Sequence, residues 1–327
     1  MTRIAVLGSN SFSGASFVAR ALEVGHELIG ISRSHEPIEA FLPYQWDDRV
    51  LKFHQCDLNN DGEEIVSLLE TFQPEAVVNF AAQSMVAESW QNPDHWYQTN
   101  VLGNVRLLES LRVLPYIKKY VHVSTPEVYG NCSGVVTEEA PYNPSTPYAS
   151  SRAACDMHLM NLFNNYDFPV VFTRAANVYG PGQQLYRIIP RTMLYIKLGK
   201  KLQLHGGGVS VRSFIHARDV AEGTLDIIEK GKPPHVYHLS TDKQISIKGL
   251  VELICERMQV DFDEFVEVAE ERPGKDAAYL LSSQRAKDEL GWEAKIDLEQ
   301  GLDQTHYWIE QYLGALKEEP LEYIHKK

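Results

Sequence analysis

Short apolar runs alternate with longer segments of helical period through the first half of the chain. The runs Ile4–Leu7, Glu27–Ile31, Val50–Cys56, Ala76–Phe80, Tyr120–Ser124 and Pro169–Thr173 predict strands. Between them, Phe12–Val24, Glu63–Thr71, Tyr97–Arg112 and Tyr148–Asn164 repeat apolar positions at three and four residues and predict helices. This alternation builds βαβ units and predicts an α/β fold, a doubly wound parallel sheet with helices on both faces. The strands read as apolar throughout, as strands covered on both sides do. Beyond about Asn177 the breaks Gly180-Pro181-Gly182 and Gly206-Gly207-Gly208 interrupt shorter, mixed elements. They predict a smaller α+β region folded against the sheet. The expected division is residues 1–175 with 213–242 in one domain, and 176–212 with 243–327 in the other. The highly charged stretch Glu318–Lys327 is expected to be mobile.

Composition narrows the function. The 327 residues carry 31 Lys and Arg against 44 Asp and Glu, a formal net charge of −13. Phosphate affinity comes from clustered Lys and Arg, so this balance argues against a nucleic-acid or anionic-membrane binder. It leaves room for a local basic pocket around one small anion. No apolar run reaches the ~18 residues of a membrane-spanning helix. The first run stops at Gly8, too short for a signal-peptide core. Cys56, Cys132, Cys155 and Cys255 are scattered with no Cys-x-x-Cys pair, which indicates neither a zinc site nor a disulfide framework. A reduced, cytoplasmic protein is expected.

The stretch Gly8-Ser9-Asn10-Ser11-Phe12-Ser13-Gly14 follows the first strand and opens the first helix. In that context it reads as a pyrophosphate loop of a Rossmann domain, since a helix N-terminus presents free N–H groups and a favourable dipole to an anion. Gly8 allows the tight turn and Gly14 the close helix–strand packing; Ser11 stands where a middle glycine is usual. At the end of the second strand the sequence is Ser32-Arg33-Ser34, with no carboxylate to accept the ribose hydroxyls of NAD. NADP is favoured on charge grounds, with NAD the alternative.

Pro147 starts a helix that carries Tyr148 and, four residues on, Arg152 on the same face. A phenol with pKa ~10 is a poor base at neutral pH, and a neighbouring cation lowers that value. The fifth strand ends in Ser124-Thr125-Pro126-Glu127, which brings a hydroxyl and a carboxylate to the edge where open α/β sheets bind ligands. Taken alone, Tyr148 and Arg152 would also suit an ordinary helix face.

Taken together, the motifs resemble the extended short-chain dehydrogenase/reductases of the nucleotide-sugar 4,6-dehydratase and epimerase group. The likeness runs through Gly8–Gly14, Cys56-Asp57-Leu58, Asn79–Ser84, Thr99–Gly103, Ser124–Gly130, the Tyr148 helix, Asn177–Pro181, Val211–His216, Arg272-Pro273-Gly274 and Leu290-Gly291-Trp292. It implies a general base at Tyr148, a sugar O4 contact at Thr125 and a cofactor cleft that includes Asp57, Leu58, Ala81, Ala82 and Gln83. Asn100 would hold the active-site region in shape. Ser84, Pro126, Asn177, Arg187, Arg212 and Arg272 would line the substrate side, with Arg212 and Arg272 gripping the diphosphate. The implied partners are a GDP-, dTDP-, UDP- or CDP-hexose and a second copy of the chain, packed through Tyr97–Arg112 and Tyr148–Asn164.

Two departures bear on the chemistry. The family motif Tyr-x-x-x-Lys ends in Arg152 here, a larger, planar and permanently charged group. The Thr-Asp-Glu signature of the dTDP-glucose enzymes is Thr125-Pro126-Glu127, and proline has no proton to give. Retention of Glu127 favours dehydration. Epimerisation at C4, arrest at a 4-keto product, and a cofactor-binding scaffold whose catalysis has lapsed are the rivals. Phe41, Tyr44 and Trp46, in the connection after the second strand, are expected to bury against the sheet. His205-Gly206-Gly207-Gly208 reads as a glycine turn between short strands.

Overall fold

The computed structural model describes residues 1–47, 49–270 and 279–326. Seven parallel strands form the central sheet: β1 (Arg3–Leu7), β2 (Glu27–Ser32), β3 (Lys52–Gln55), β4 (Ala76–Asn79), β5 (Lys119–Val123), β6 (Val170–Ala175) and β7 (Val236–Leu239). Their spatial order is 3-2-1-4-5-6-7, so the chain reverses direction beside β1, where such sheets open a ligand crevice. Leu7 stands opposite both Ile31 and Asn79, which aligns the carboxyl ends of three strands around the Gly8 turn. All six predicted strands form, with ends shifted by a few residues. The seventh was not predicted, because Val236–Leu239 lies in the half that reads as mixed.

Side chains alternate between the two faces, and each face is buried. One carries Ile4, Val6, Val78 and Val121 against α1 (Phe12–Glu23) and α6 (Ala217–Lys230). The other carries Ala5, Leu7, Val77 and Tyr120 against α2 (Gly62–Phe72), α3 (Asn104–Leu111) and α4 (Pro147–Tyr166). This double cover is what the unbroken apolar runs required. β3 is the exception, an edge strand with exposed ends.

Before α3 the backbone passes through a π-helical run, Gln98–Gly103, which follows a short helix at Pro93–Tyr97. The expected Tyr97–Arg112 helix is therefore continuous but locally widened. The remaining chain supplies α5 (Ile188–Lys197), α7 (Leu298–Leu316), further short helices and two-stranded pairings. Gly206–Gly208 forms the expected tight turn. Phe41 and Trp46 do not bury against the sheet. They pack on α7, against Trp308 (centroids 6.1 Å apart) and Tyr312 (6.0 Å), while Trp308 Nε1 donates to the Ala40 carbonyl at 2.7 Å. Tyr44 alone joins the sheet's core. The stretch after α7 is also not loose, since Leu321–Lys326 is docked against the body of the protein.

Three buried histidines make the fold sensitive to acid. Burial first, and neighbouring guanidinium charges second, hold His122 well below its ordinary value, His216 at about 4 and His238 at about 3. Each unfolded histidine takes up a proton below about pH 6.5 that the native one refuses, so stability is complete above that pH and falls as pH drops towards the folded values. Chemical denaturation at pH 7 and pH 5.5 is expected to show a loss of up to ~1.4 kcal/mol per pH unit for each histidine.

Candidate active site

The pyrophosphate loop is built on local sterics. Gly8 has φ +78°, and a Cβ there would lie 2.7 Å from the Ala81 nitrogen. A Cβ on Gly14 would run into the Gly8 carbonyl oxygen. Ser11, in place of the middle glycine, caps α1: its Oγ accepts from Gly14 N at 3.2 Å and donates to Gly8 O at 2.7 Å. No acidic residue occupies the first turn of α1, which leaves the positive end of the helix dipole uncancelled.

A cleft of about 190 Å³ lies above this turn, lined by Gly8, Asn10, Ser11, Ser32, Arg33, Ser34, Asp57, Leu58, Ala81, Ala82 and Gln83. Leu7, Ile31 and Thr99 also line it, apolar or hydroxyl side chains that carried no site assignment in the sequence. Phe12 and Ser13 belong to the first turn of α1, where Phe12 is buried. Asn10 Nδ2 donates to the carbonyls of Ser34 (2.9 Å) and His35 (3.1 Å), and its amide N–H donates to Ser32 Oγ at 3.1 Å. The end of β2 is thereby folded over the cleft, with two hydroxyls and a guanidinium and no carboxylate. These donors and this helix start suit the phosphates of a dinucleotide.

Asn100 lies behind the cleft and ties three elements together. Its Oδ1 accepts from Gln83 N at 2.8 Å, and its Nδ2 donates to Gln83 O (2.9 Å) and Ser151 Oγ (3.0 Å).

Helix α4 starts cleanly, with Pro147 in its first turn and Thr146 Oγ1 accepting from Ala149 N at 3.1 Å. Tyr148, Arg152 and Asp156 follow one another along its buried face. The Tyr148 hydroxyl feels Thr125 and the charges of Arg152, Glu127 and Arg187. Burial pushes the phenol above its ordinary value; Arg152, Thr125 and Arg187 pull it down, and Glu127 pushes it up. The expected lowering by Arg152 is present, but desolvation outweighs it.

Arg152 is 1% exposed. Its Nη2 donates to His122 Nε2 at 2.9 Å and to the Val123 carbonyl, so the guanidinium is drawn towards the sheet. Next comes Asp156, whose Oδ2 accepts from Ser124 Oγ (2.7 Å), Arg174 Nη2 (2.9 Å) and Tyr142 OH (3.2 Å). Arg174 lies over the rings of Tyr129 (4.6 Å) and Tyr142 (4.9 Å). His122, Asp156 and Arg174 carried no assignment in the sequence. The available signal was Asp156 itself, a charge one turn beyond Arg152 on an otherwise buried helix face.

The substrate-side residues are more dispersed. Pro126 and Glu127 sit in the turn after β5, and Thr125 caps it by accepting from Glu127 N at 3.3 Å. Arg187 immediately precedes α5. Asn177 is exposed and donates to the Ser213 carbonyl at 3.1 Å, and Ser84 is exposed beside Gln83. Arg212 stands on a short strand paired with Ile245–Ser246, its Nη1 turned onto the Val211 carbonyl at 2.8 Å. Arg272 lies outside the described residues.

A parallel sheet with a phosphate-type helix start at its crevice, and a tyrosine flanked by hydroxyl and cation at its carboxyl edge, defines an enzyme that works with a nicotinamide dinucleotide. The chain belongs to the GDP-mannose 4,6 dehydratase family, whose profile it matches over residues 6–305, and so to the NAD(P)-dependent sugar-nucleotide dehydratases and epimerases. It is 32% identical over 331 residues to the dTDP-glucose 4,6-dehydratase of Xanthomonas campestris pv. campestris, covering 93% of this chain and 92% of that one. It is 34% identical over 264 residues to the trifunctional UDP-glucose 4,6-dehydratase/UDP-4-keto-6-deoxy-D-glucose 3,5-epimerase/UDP-4-keto-L-rhamnose-reductase RHM2 of Arabidopsis thaliana. That match spans 80% of this chain and 39% of the plant protein. The crystal structure of dTDP-glucose 4,6-dehydratase from Bacillus anthracis in complex with NAD superposes with a TM-score of 0.86 at 31% identity, covering 97% of this chain and 99% of that one.

Substituting Gly8→Ala combines a positive φ with a backbone clash. It is expected to destabilise the fold by ~1–2 kcal/mol and to weaken dinucleotide binding at least tenfold, measured by thermal melting and by quenching of intrinsic fluorescence on titration with dinucleotide.

Proposed function

We propose that the chain is an NADP-dependent nucleotide-sugar 4,6-dehydratase, acting on an NDP-hexose in the reducing cytoplasm. The observation that carries this reading is the placing of Tyr148 and Arg152 on the buried face of one helix, with Thr125 and Glu127 in the turn at the carboxyl end of β5. A bound nicotinamide would supply the hydride acceptor for C4 oxidation and the hydride donor for C6. Tyr148 removes the O4 proton as C4 is oxidised, and Thr125 orients both hydroxyls. Glu127 takes the C5 proton, made acidic by the adjacent ketone. The C6 hydroxyl then departs as water with that proton, Pro126 leaving Glu127 as the acid on that face. Hydride addition at C6 draws a proton to C5 in turn, matched through solvent by the one Tyr148 took from O4, so both side chains end as they began. Arg187, with Arg212 and Arg272, would hold the diphosphate.

The choice of NADP rests on Ser32, Arg33 and Ser34 at the end of β2, where a 2′-phosphate finds donors and no opposing carboxylate. A homodimer through Tyr97–Arg112 and Tyr148–Asn164 is part of the proposal. Tyr97, Leu102 and Met157 leave apolar surface there, 41%, 47% and 49% exposed.

Incubation with each common sugar nucleotide, followed by mass spectrometry, is expected to show a product lighter by one water; an epimer of unchanged mass would overturn the reading. Tyr148→Phe should lower kcat by ~100-fold or more. Glu127→Gln should allow C4 oxidation, seen as accumulating reduced-nicotinamide absorbance, without loss of water. Arg152→Met removes the cation that favours the phenolate, so the acidic limb of the kcat–pH profile should move to higher pH. A limb that stays in place would mean that the guanidinium does not tune the base.

A further inference from the structure

The segment Leu321–Lys326 crosses from the C-terminal lobe to the dinucleotide cleft. At one end Arg191, on α5, pairs with the Glu322 carboxylate and donates to the Leu321 carbonyl at 3.4 Å. The Tyr323 ring then meets Tyr186 edge-on, with centroids 5.4 Å apart and planes at 79°. His325 lies against Trp96, with centroids 5.2 Å apart and planes at 13°, and its Nε2 hydrogen-bonds His95 Nδ1 at 2.8 Å. At the other end the Lys326 carbonyl accepts from Gln83 Nε2 at 2.7 Å and from Arg33 Nη1 at 3.3 Å. Gln83 and Arg33 both line the cleft. The segment is thus fastened on both sides of the cleft, and its far anchor uses two residues of the dinucleotide site.

We propose that residues 321–326 form a strap that closes over the bound dinucleotide and slows its release. The anchors are hydrogen bonds, ring contacts and one ion pair, each weak enough to open and together enough to hold a short segment in place. Tyr323 rests on Tyr186, the residue before Arg187, so the strap runs from beside the proposed substrate side to the dinucleotide cleft. The inference rests on the reading of the cleft as a nicotinamide dinucleotide site. It also suits a reaction that returns its hydride to the same cofactor, which then has no need to leave between turnovers.

The test measures release directly. The full chain is loaded with NADH or with NADPH and mixed in stopped flow with excess oxidised dinucleotide, and loss of bound-nicotinamide fluorescence gives koff. The pair Tyr323→Ala and His325→Ala should raise koff about tenfold, with a smaller effect on the association rate. Hydrogen exchange on the unsubstituted chain provides a readout that needs no variant to fold: dinucleotide should slow exchange of the amides of residues 321–326. The proposal is overturned if koff in the double variant stays within about twofold of the original. It is also overturned if dinucleotide speeds exchange there, which would make the segment a competitor for the cleft. No sugar nucleotide enters either measurement, so failure of the dehydratase reading leaves these outcomes intact.

Discussion

A carboxylate with no exposed surface, Asp156, fixes the arrangement on which the site depends. A buried charge is tolerated only when paired and hydrogen-bonded. Arg174, Ser124 and Tyr142 meet that demand from β6, the end of β5 and the loop before α4. Helix α4 is thereby locked in rotation and in height against the sheet. Tyr148 lies two turns earlier on the same helix, so its ring position follows from a contact that takes no part in the chemistry.

The same cluster sets the electrostatics below the phenol. His122 is neutral at physiological pH, because burial and two nearby guanidiniums oppose its protonation. Arg174 pairs with the carboxylate of Asp156, while the Arg152 guanidinium, held by His122 and the Val123 carbonyl, acts on Tyr148. Its charge favours the phenolate, while burial and Glu127 disfavour it. An arginine in place of the family's lysine suits this balance. Its charge is permanent, and its planar fork can reach a histidine and a carbonyl together.

The sheet and its helices were legible because fully covered parallel strands leave an unmistakable apolar record, as in Ala76–Asn79 and Lys119–Val123. The Gly8–Gly14 turn and the Tyr148–Arg152 pair were legible because local geometry dictates residue type and spacing. The edge strand Val236–Leu239 and the packing of Phe41 and Trp46 on α7 were not, since both depend on partners far along the chain. The docking of 321–326 was hidden for another reason. Charge and polarity made that stretch look solvated, yet beside one ion pair its anchors are ring faces and main-chain carbonyls, features that composition does not register. His122 escaped notice because a histidine within an apolar strand looks like any satisfied core residue until the guanidinium above it is seen.

The widened turn at Gln98–Gly103 does more than bend a helix. A π run inserts one residue beyond the regular count, which shifts every later side chain around the axis by about a quarter turn. Asn100 looks inward to Gln83 and Ser151 within this run, and Leu102, two positions later, faces outward. Removing one residue here would turn the whole of α3 by about 100°, carrying Asn104 off Asn79 and Leu107, Leu108 and Leu111 out of the core, so the count of residues in this run sets the face that the helix presents to the sheet.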